Sequence, residues 1–202
     1  MRKFPRACGQ FAKRPPCRCG GRTFWTDNNA LLAVADGQDL PDCDPKFCGT
    51  MDQTDAAAAS GRTVRLPKLR AATKRAIDSF QEEAARLARE KCAHVEPGNP
   101  YVCMIDRMRE QLKGDRVPTL RIGSSLYQTR LLMNVLRCVG QGRARMAFVR
   151  REYGPPAFPR PSVDLLALGA PDGSWTAAVM PMMPDQPYDA EASPESLEGR
   201  RR

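Results

Sequence analysis

The chain has 202 residues, 18 of them Pro and 15 Gly, with 6% aromatics, a mean hydropathy of −0.50 and a net charge of +9. That size suits one domain with tails, and the composition points to a compact middle with irregular ends rather than a uniformly packed globule. No apolar run reaches the ~20 residues of a membrane-spanning helix, and the basic start lacks the apolar stretch of a secretory signal; the expectation is a cytoplasmic protein, with signal-independent export as the alternative.

Residues 1–26 carry seven basic residues and no acid, and residues 27–61 hold seven Asp against Lys46 alone. The basic sign returns over 62–92 and 114–153, and residues 154–199 are acidic. Alternating blocks can attract a polyanion at one surface and pair internally at another.

The first 61 residues read as an irregular, Cys-rich module. Pro5, Pro15, Pro16 and Gly20 break the amphipathic helix that an Arg-rich presequence would need. "NNALLAVA" (28–35) is too short to separate a capped helix from a buried strand. Residues 36–61, rich in Asp, Gly and Pro, read as a loop.

Five of the eight cysteines fall in this module. Cys17 and Cys19 precede Gly20, and Cys43 and Cys48 precede Gly49; two such turns can bring four thiolates to one tetrahedral zinc ion. Phe24 and Trp25 would pack beside the first turn. The spacings are C-x-C and C-x4-C rather than the usual C-x2-C, so a disulfide reading stands beside the zinc clip. In that reading Cys92 and Cys103 staple a helical hairpin and Cys43 and Cys48 close a small loop.

A helix is predicted from Leu66 to Cys92, with Pro67 in its first turn and an apolar stripe of Leu69, Thr73, Ile77, Phe80, Ala84 and Leu87. "EPGNP" (96–100) ends it. A second helix starts at the Asn99 cap and Pro100 and stops at Gly114; the short link makes the two antiparallel. "VPTLRIG" (117–123) is extended. A third helix, capped by Ser124 or Ser125, spans about 126–139. "RARMAFVRREY" (143–153) reads as a fourth short helix or a strand. Beyond Gly154 the chain is Pro-rich, with a hairpin at 163–180 turning at Pro171–Asp172–Gly173, and disorder from Met182 onward. The expected fold is therefore mainly α. A central antiparallel bundle of three to four helices (62–153) lies between the Cys-rich module (1–61) and a Pro-rich, acidic, partly disordered tail (154–202).

His94 is the single histidine, which excludes H-E-x-x-H zinc chemistry and reads as a helix C-terminal residue. "CAHVEPGNPYVC" contains H-x-E but lacks the P-C-x-x-C of a zinc deaminase. There is no Walker A loop, no G-x-G-x-x-G and no G-x-S-x-G, and the Asp36–Asp44 cluster lacks the closing Glu of a calcium loop. No catalytic residue is assigned, and binding ranks above catalysis.

The basic features remain. Arg130 and Arg137 share a face of the third helix, and Arg143, Arg145, Arg150 and Arg151 follow with Phe148 and Tyr153 interleaved. The expectation is a small basic, zinc-stabilised protein that contacts nucleic acid or an acidic protein surface through these six arginines. The alternative is an exported bacterial effector, toxin or phage-particle component held by disulfides.

Overall fold

A computed structural model describes residues 16–27, 29–35, 40–43, 45–91, 117–151, 163–182 and 188–198. The second predicted helix (99–114), His94 and the Cys92–Cys103 staple lie outside the described residues.

The helical-bundle expectation is overturned. The main core is a seven-stranded antiparallel sheet, with four helices among the described residues. Its strands are β1 (Cys17–Cys19), β2 (Arg22–Thr26), β3 (Ala30–Val34), β4 (Arg62–Arg65), β7 (Arg143–Arg151), β8 (Val163–Gly169) and β9 (Trp175–Val179), in the order β1-β2-β3-β9-β8-β7-β4. A smaller sheet, ordered β10-β5-β6, joins β5 (Thr119–Ile122) and β6 (Ser125–Gln128) with β10 (Ala190–Ala192), which runs parallel to β5. The helices are α1 (Pro45–Ser60), α2 (Leu66–Lys91), α3 (Thr129–Val139) and α4 (Pro194–Leu197). The large sheet draws strands from all three stretches into which the sequence was divided.

The two ambiguous runs resolve as strands because both faces of the sheet are covered. In β3 all five residues are buried, which suits a strand with packing on either side. Leu32 and Val34 face one cluster, Leu31 and Ala33 the other. In β7, Ala144, Met146 and Phe148 alternate with Arg145, Ala147 and Val149, a period of two that a helix cannot use.

The larger cluster packs Trp25, Leu32, Leu168, Trp175 and Val179 against Leu132, Leu136 and Val139 of α3, Leu69 and Ala76 of α2, and Leu120 and Tyr127 of the small sheet. On the opposite face Met51 of α1 packs with Phe24, Leu31, Leu165 and Ala178. The architecture is thus three layers: α1, the large sheet, and α2, α3 and the small sheet together. Polar contacts stitch the small sheet to β8. The Tyr127 hydroxyl donates to the Asp164 carbonyl at 2.6 Å, and the Asp164 N–H donates to Ser125 Oγ at 3.2 Å. Burial pushes the Tyr127 phenol well above its ordinary value.

Local sequence explains the remaining elements. Gly20 and Gly21, at φ 55° and 76°, form the two-residue turn between β1 and β2 that needs positive φ at both positions. Residues 45–60 were expected to be loop; they form α1, with Pro45 at its start, the helix-favouring run Ala56–Ala59, and Met51, Thr54 and Ala58 buried at three- and four-residue steps. The third helix starts later than expected, at Thr129, because 125–128 pairs with β5. The tail expected to be disordered contributes β10 and α4. Ser193 Oγ accepts from the Ser196 N–H at 3.1 Å and Pro194 opens the helix. The predicted hairpin at 163–180 is β8 and β9, in the interior of the large sheet.

Both margins of that sheet are covered. Along β1, the Arg18 N–H donates to the Pro41 carbonyl at 2.7 Å and the Cys43 N–H to the Arg18 carbonyl at 2.8 Å. Along β4, Val64 pairs with Glu198, and Arg62 reaches Glu195 at 2.7 Å and Glu198 at 3.4 Å. Backbone hydrogen bonding, with the Arg62 contact second, holds the Glu195 carboxyl below its ordinary value.

Between α1 and β4 the chain turns at Gly61, where an added Cβ would lie 2.6 Å from the Met146 carbonyl oxygen and 3.1 Å from that of Ala58. The Met146 backbone cannot yield without disturbing the β4–β7 register, nor that of Ala58 without shifting the last turn of α1. Gly61→Ala is expected to lower unfolding free energy by about 1–3 kcal/mol, the usual range for overpacking, measured by denaturant titration. The equivalent change at the open position Gly49 serves as the control.

Candidate anion-binding face

The four cysteines assigned to zinc do not surround a cation. Cys17 and Cys19 are two residues apart on β1, so both side chains leave the same face of the strand. Cys17 is bridged to Cys43 (Cα–Cα 5.1 Å) and Cys19 to Cys48 (Cα–Cα 5.7 Å), within the ordinary span of a disulfide. Among the described residues no group of three or more His, Cys, Asp or Glu is placed to hold a metal ion. The zinc clip, and the metal-binding reading built on it, are corrected to two crossed bridges that fasten the 41–43 segment and α1 to the sheet. The Cys43–Cys48 loop closure is corrected with them. Phe24 packs in the same cluster as these cysteines, whereas Trp25 faces the opposite layer.

Many basic side chains are consumed by the fold. Arg18 pairs with Asp42 at 3.1 Å, and Arg22 makes a two-point pair with Asp55, one contact at 3.0 Å. Hydrogen bonding to Asp55 raises the Arg22 guanidinium above its ordinary value against the opposing pull of burial. Arg70 donates to the carbonyls of Leu136 and Gly140, closing the C-terminal end of α3, where a cation complements the helix dipole. Lys68 donates to the Ser196 and Glu198 carbonyls.

Of the six arginines singled out in the sequence, the structure brings some together and separates others. Arg130 and Arg137 are both exposed on α3, seven residues apart and so about 10 Å along the axis. Arg143 and Arg145 lie on the α1 face of β7, whereas Arg150 lies on the other face, opposite Asp164 in the adjacent strand and about 17 Å along the strand from Arg145. Arg151 ends β7; its side chain is outside the described residues.

Register reveals a partner that sequence reading missed. Arg65 of β4 sits directly opposite Arg143, and Thr63 opposite Arg145. Arg65 and Arg143 are exposed and Arg145 is half-buried. None of the three side chains makes a hydrogen bond or ion pair among the described residues. Like charges directly opposite on antiparallel strands are destabilising by a few tenths of a kcal/mol or more. The Gly140–Gly142 turn binds this group to the end of α3, since the Leu66 N–H donates to the Gly142 carbonyl at 2.8 Å. Arg137 is in the last turn of α3, in the layer on the other face of the sheet.

Beside Arg145 a cavity of about 450 Å³ opens between the C-terminal half of α1 and the sheet. Arg22, Asp55, Ala59, Arg145, Pro171 and Thr176 are among the residues that line it. No helix among the described residues is long and apolar enough to cross a membrane. Comparison with known proteins adds no relative: no family model, curated protein or solved structure matches the chain.

Proposed function

We propose that this is a disulfide-stabilised binding protein that engages the phosphate backbone of a nucleic-acid strand through Arg65, Arg143 and Arg145. One observation carries the reading. Three guanidinium groups are gathered on two adjacent strands at an electrostatic cost, with no acid among the described residues paired to them, while Arg18, Arg22 and Arg62 all have carboxylate partners. A polyanion removes that cost. The guanidinium fork matches phosphate oxygens two at a time, and Arg outnumbers Lys 25 to 7 in the chain. The two bridges favour work in an oxidising compartment, which suits export rather than the cytosol.

Filter-binding titration of a mixed-sequence single-stranded oligonucleotide at stepped salt tests this. Three phosphate contacts give a log–log salt slope of about −2, and further contacts steepen it. Arg65→Ser with Arg143→Ser is expected to flatten the slope by about 1.4 while leaving the thermal midpoint in place. No binding at low salt would end the proposal, as would an unchanged slope in the double variant. Capture of polyglutamate in preference to the oligonucleotide would move the partner to an acidic protein surface.

A further inference from the structure

The cavity beside Arg145 has the makings of a second, smaller site. Its volume of about 450 Å³ falls in the range of small-ligand pockets, roughly 300–1,000 Å³. Its polar groups are unequally committed. Arg22 and Asp55 neutralise each other across the opening. Arg145, half-buried, has no carboxylate partner among the described residues. Thr176 is only 4% exposed, and no described residue hydrogen-bonds its hydroxyl; that side chain lines the cavity. The Thr176 hydroxyl and the half-buried Arg145 guanidinium both line the cavity, where they can meet a ligand's oxygens. The acids near the rim are already engaged: Asp172 Oδ1 accepts from the Ser174 N–H at 3.1 Å and from its hydroxyl at 2.7 Å. Ala58, Ala59, Ala170 and Pro171 supply an apolar wall.

We infer that this cavity binds a phosphate monoester of nucleotide size. Arg145 holds the phosphate in a two-point grip, Thr176 donates its hydroxyl to a phosphate oxygen, and the organic portion lies along the alanine and proline wall. Arg143, two residues along the same face of β7, adds the second positive charge that a dianion uses and a carboxylate does not. The Arg22–Asp55 pair braces α1 against β2 and fixes the opposite side of the opening. The site shares Arg143 and Arg145 with the strand-binding face but not Arg65, and so deepens that reading while remaining separable from it.

Titration calorimetry with adenosine monophosphate and with inorganic phosphate tests the assignment on the intact, oxidised chain. The monoester should bind more tightly than inorganic phosphate. Arg145→Gln should weaken the monoester about 10- to 100-fold, as loss of a charged hydrogen-bonding partner does. Ala59→Phe, which fills the cavity without altering charge, should abolish monoester binding and spare the oligonucleotide. Conversely, Arg65→Ser alone should cut oligonucleotide affinity and leave the monoester in place. Failure of the wild-type chain to bind either small anion overturns the site, as does equal affinity for the two or indifference to both pocket variants. If the oligonucleotide still binds in that event, the strand-binding face survives without the pocket.

Discussion

Opening both bridges, by Cys17→Ser with Cys19→Ser, is expected to lower unfolding free energy by about 6 kcal/mol. Each bridge taken alone closes a loop of similar size, with sequence separations of 26 and 29 residues, for which chain-entropy arguments give about 3.5 kcal/mol. The two do not add. Once Cys17–Cys43 is closed, the route from Cys48 back to Cys19 runs through that bridge and spans only about 9 residues, so the second contributes about 2.5 kcal/mol. Domains of this kind have about 5–15 kcal/mol in total, so the reduced chain stands near the limit of folding. Thermal unfolding with and without a reducing agent measures the effect, and a free-thiol count in denaturant checks the premise. Labelling of Cys17, Cys19, Cys43 and Cys48 by a thiol reagent in the unreduced chain, with one zinc ion per chain, would overturn the bridges.

Met51→Ala should cost about 2–5 kcal/mol in the oxidised protein. Met51 is fully buried and is the large side chain with which α1 meets Phe24, Leu31, Leu165 and Ala178. Ala58, near the other end of the helix, is too small to compensate for it. The Cys19–Cys48 bridge tethers the first turn of α1 beside this contact, so the two devices hold the same helix to the same face. Their effects are therefore coupled. In the reduced protein α1 can leave the sheet locally, and the Met51→Ala cost should shrink. A double-mutant cycle in denaturant, oxidised against reduced, reads that coupling; strict additivity would show that the bridge and the side chain secure α1 independently.

These two effects also mark where sequence reading stopped short. The long helix was legible because its stripe repeats every three or four residues, with Leu69 and Thr73 fully buried as the pattern demands. The β8–β9 hairpin was legible from its turn chemistry. The large sheet as a whole was not, because its strands are covered on both sides: β3 reads as an unbroken apolar run without the alternation that distinguishes strand from helix. The Gly20–Gly21 pair between two short polar–apolar runs was a usable hairpin signal for β1 and β2. The helix α1 was hidden by Gly49 and its many Asp and Thr residues, and it depends on packing and a bridge more than on propensity.

The site was half legible. Arg143 and Arg145 stood out as a basic cluster, but Arg65 lies about 80 residues away in the chain and becomes their neighbour only through the β4–β7 register. Alternation then sends Arg150 to the opposite face. Thr176, a lone hydroxyl in the run "WTAAV", was the one local hint of a cavity, and Arg22 and Asp55 gave none. The cysteine spacings were compatible with either a cation or bridges; only the pairing across β1 decided between them.

The strip 41–43 has a role beyond fastening. Held by the Cys17–Cys43 bridge, it occupies hydrogen-bonding positions that β1 would otherwise present to a neighbouring molecule. Cleaving that bridge unseals one flank of a seven-stranded template whose other flank stays shut at Glu198. Growth from such a template can add molecules in one direction only, so a reducing milieu would convert a self-contained particle into a seed for head-limited dimers before any extended fibril.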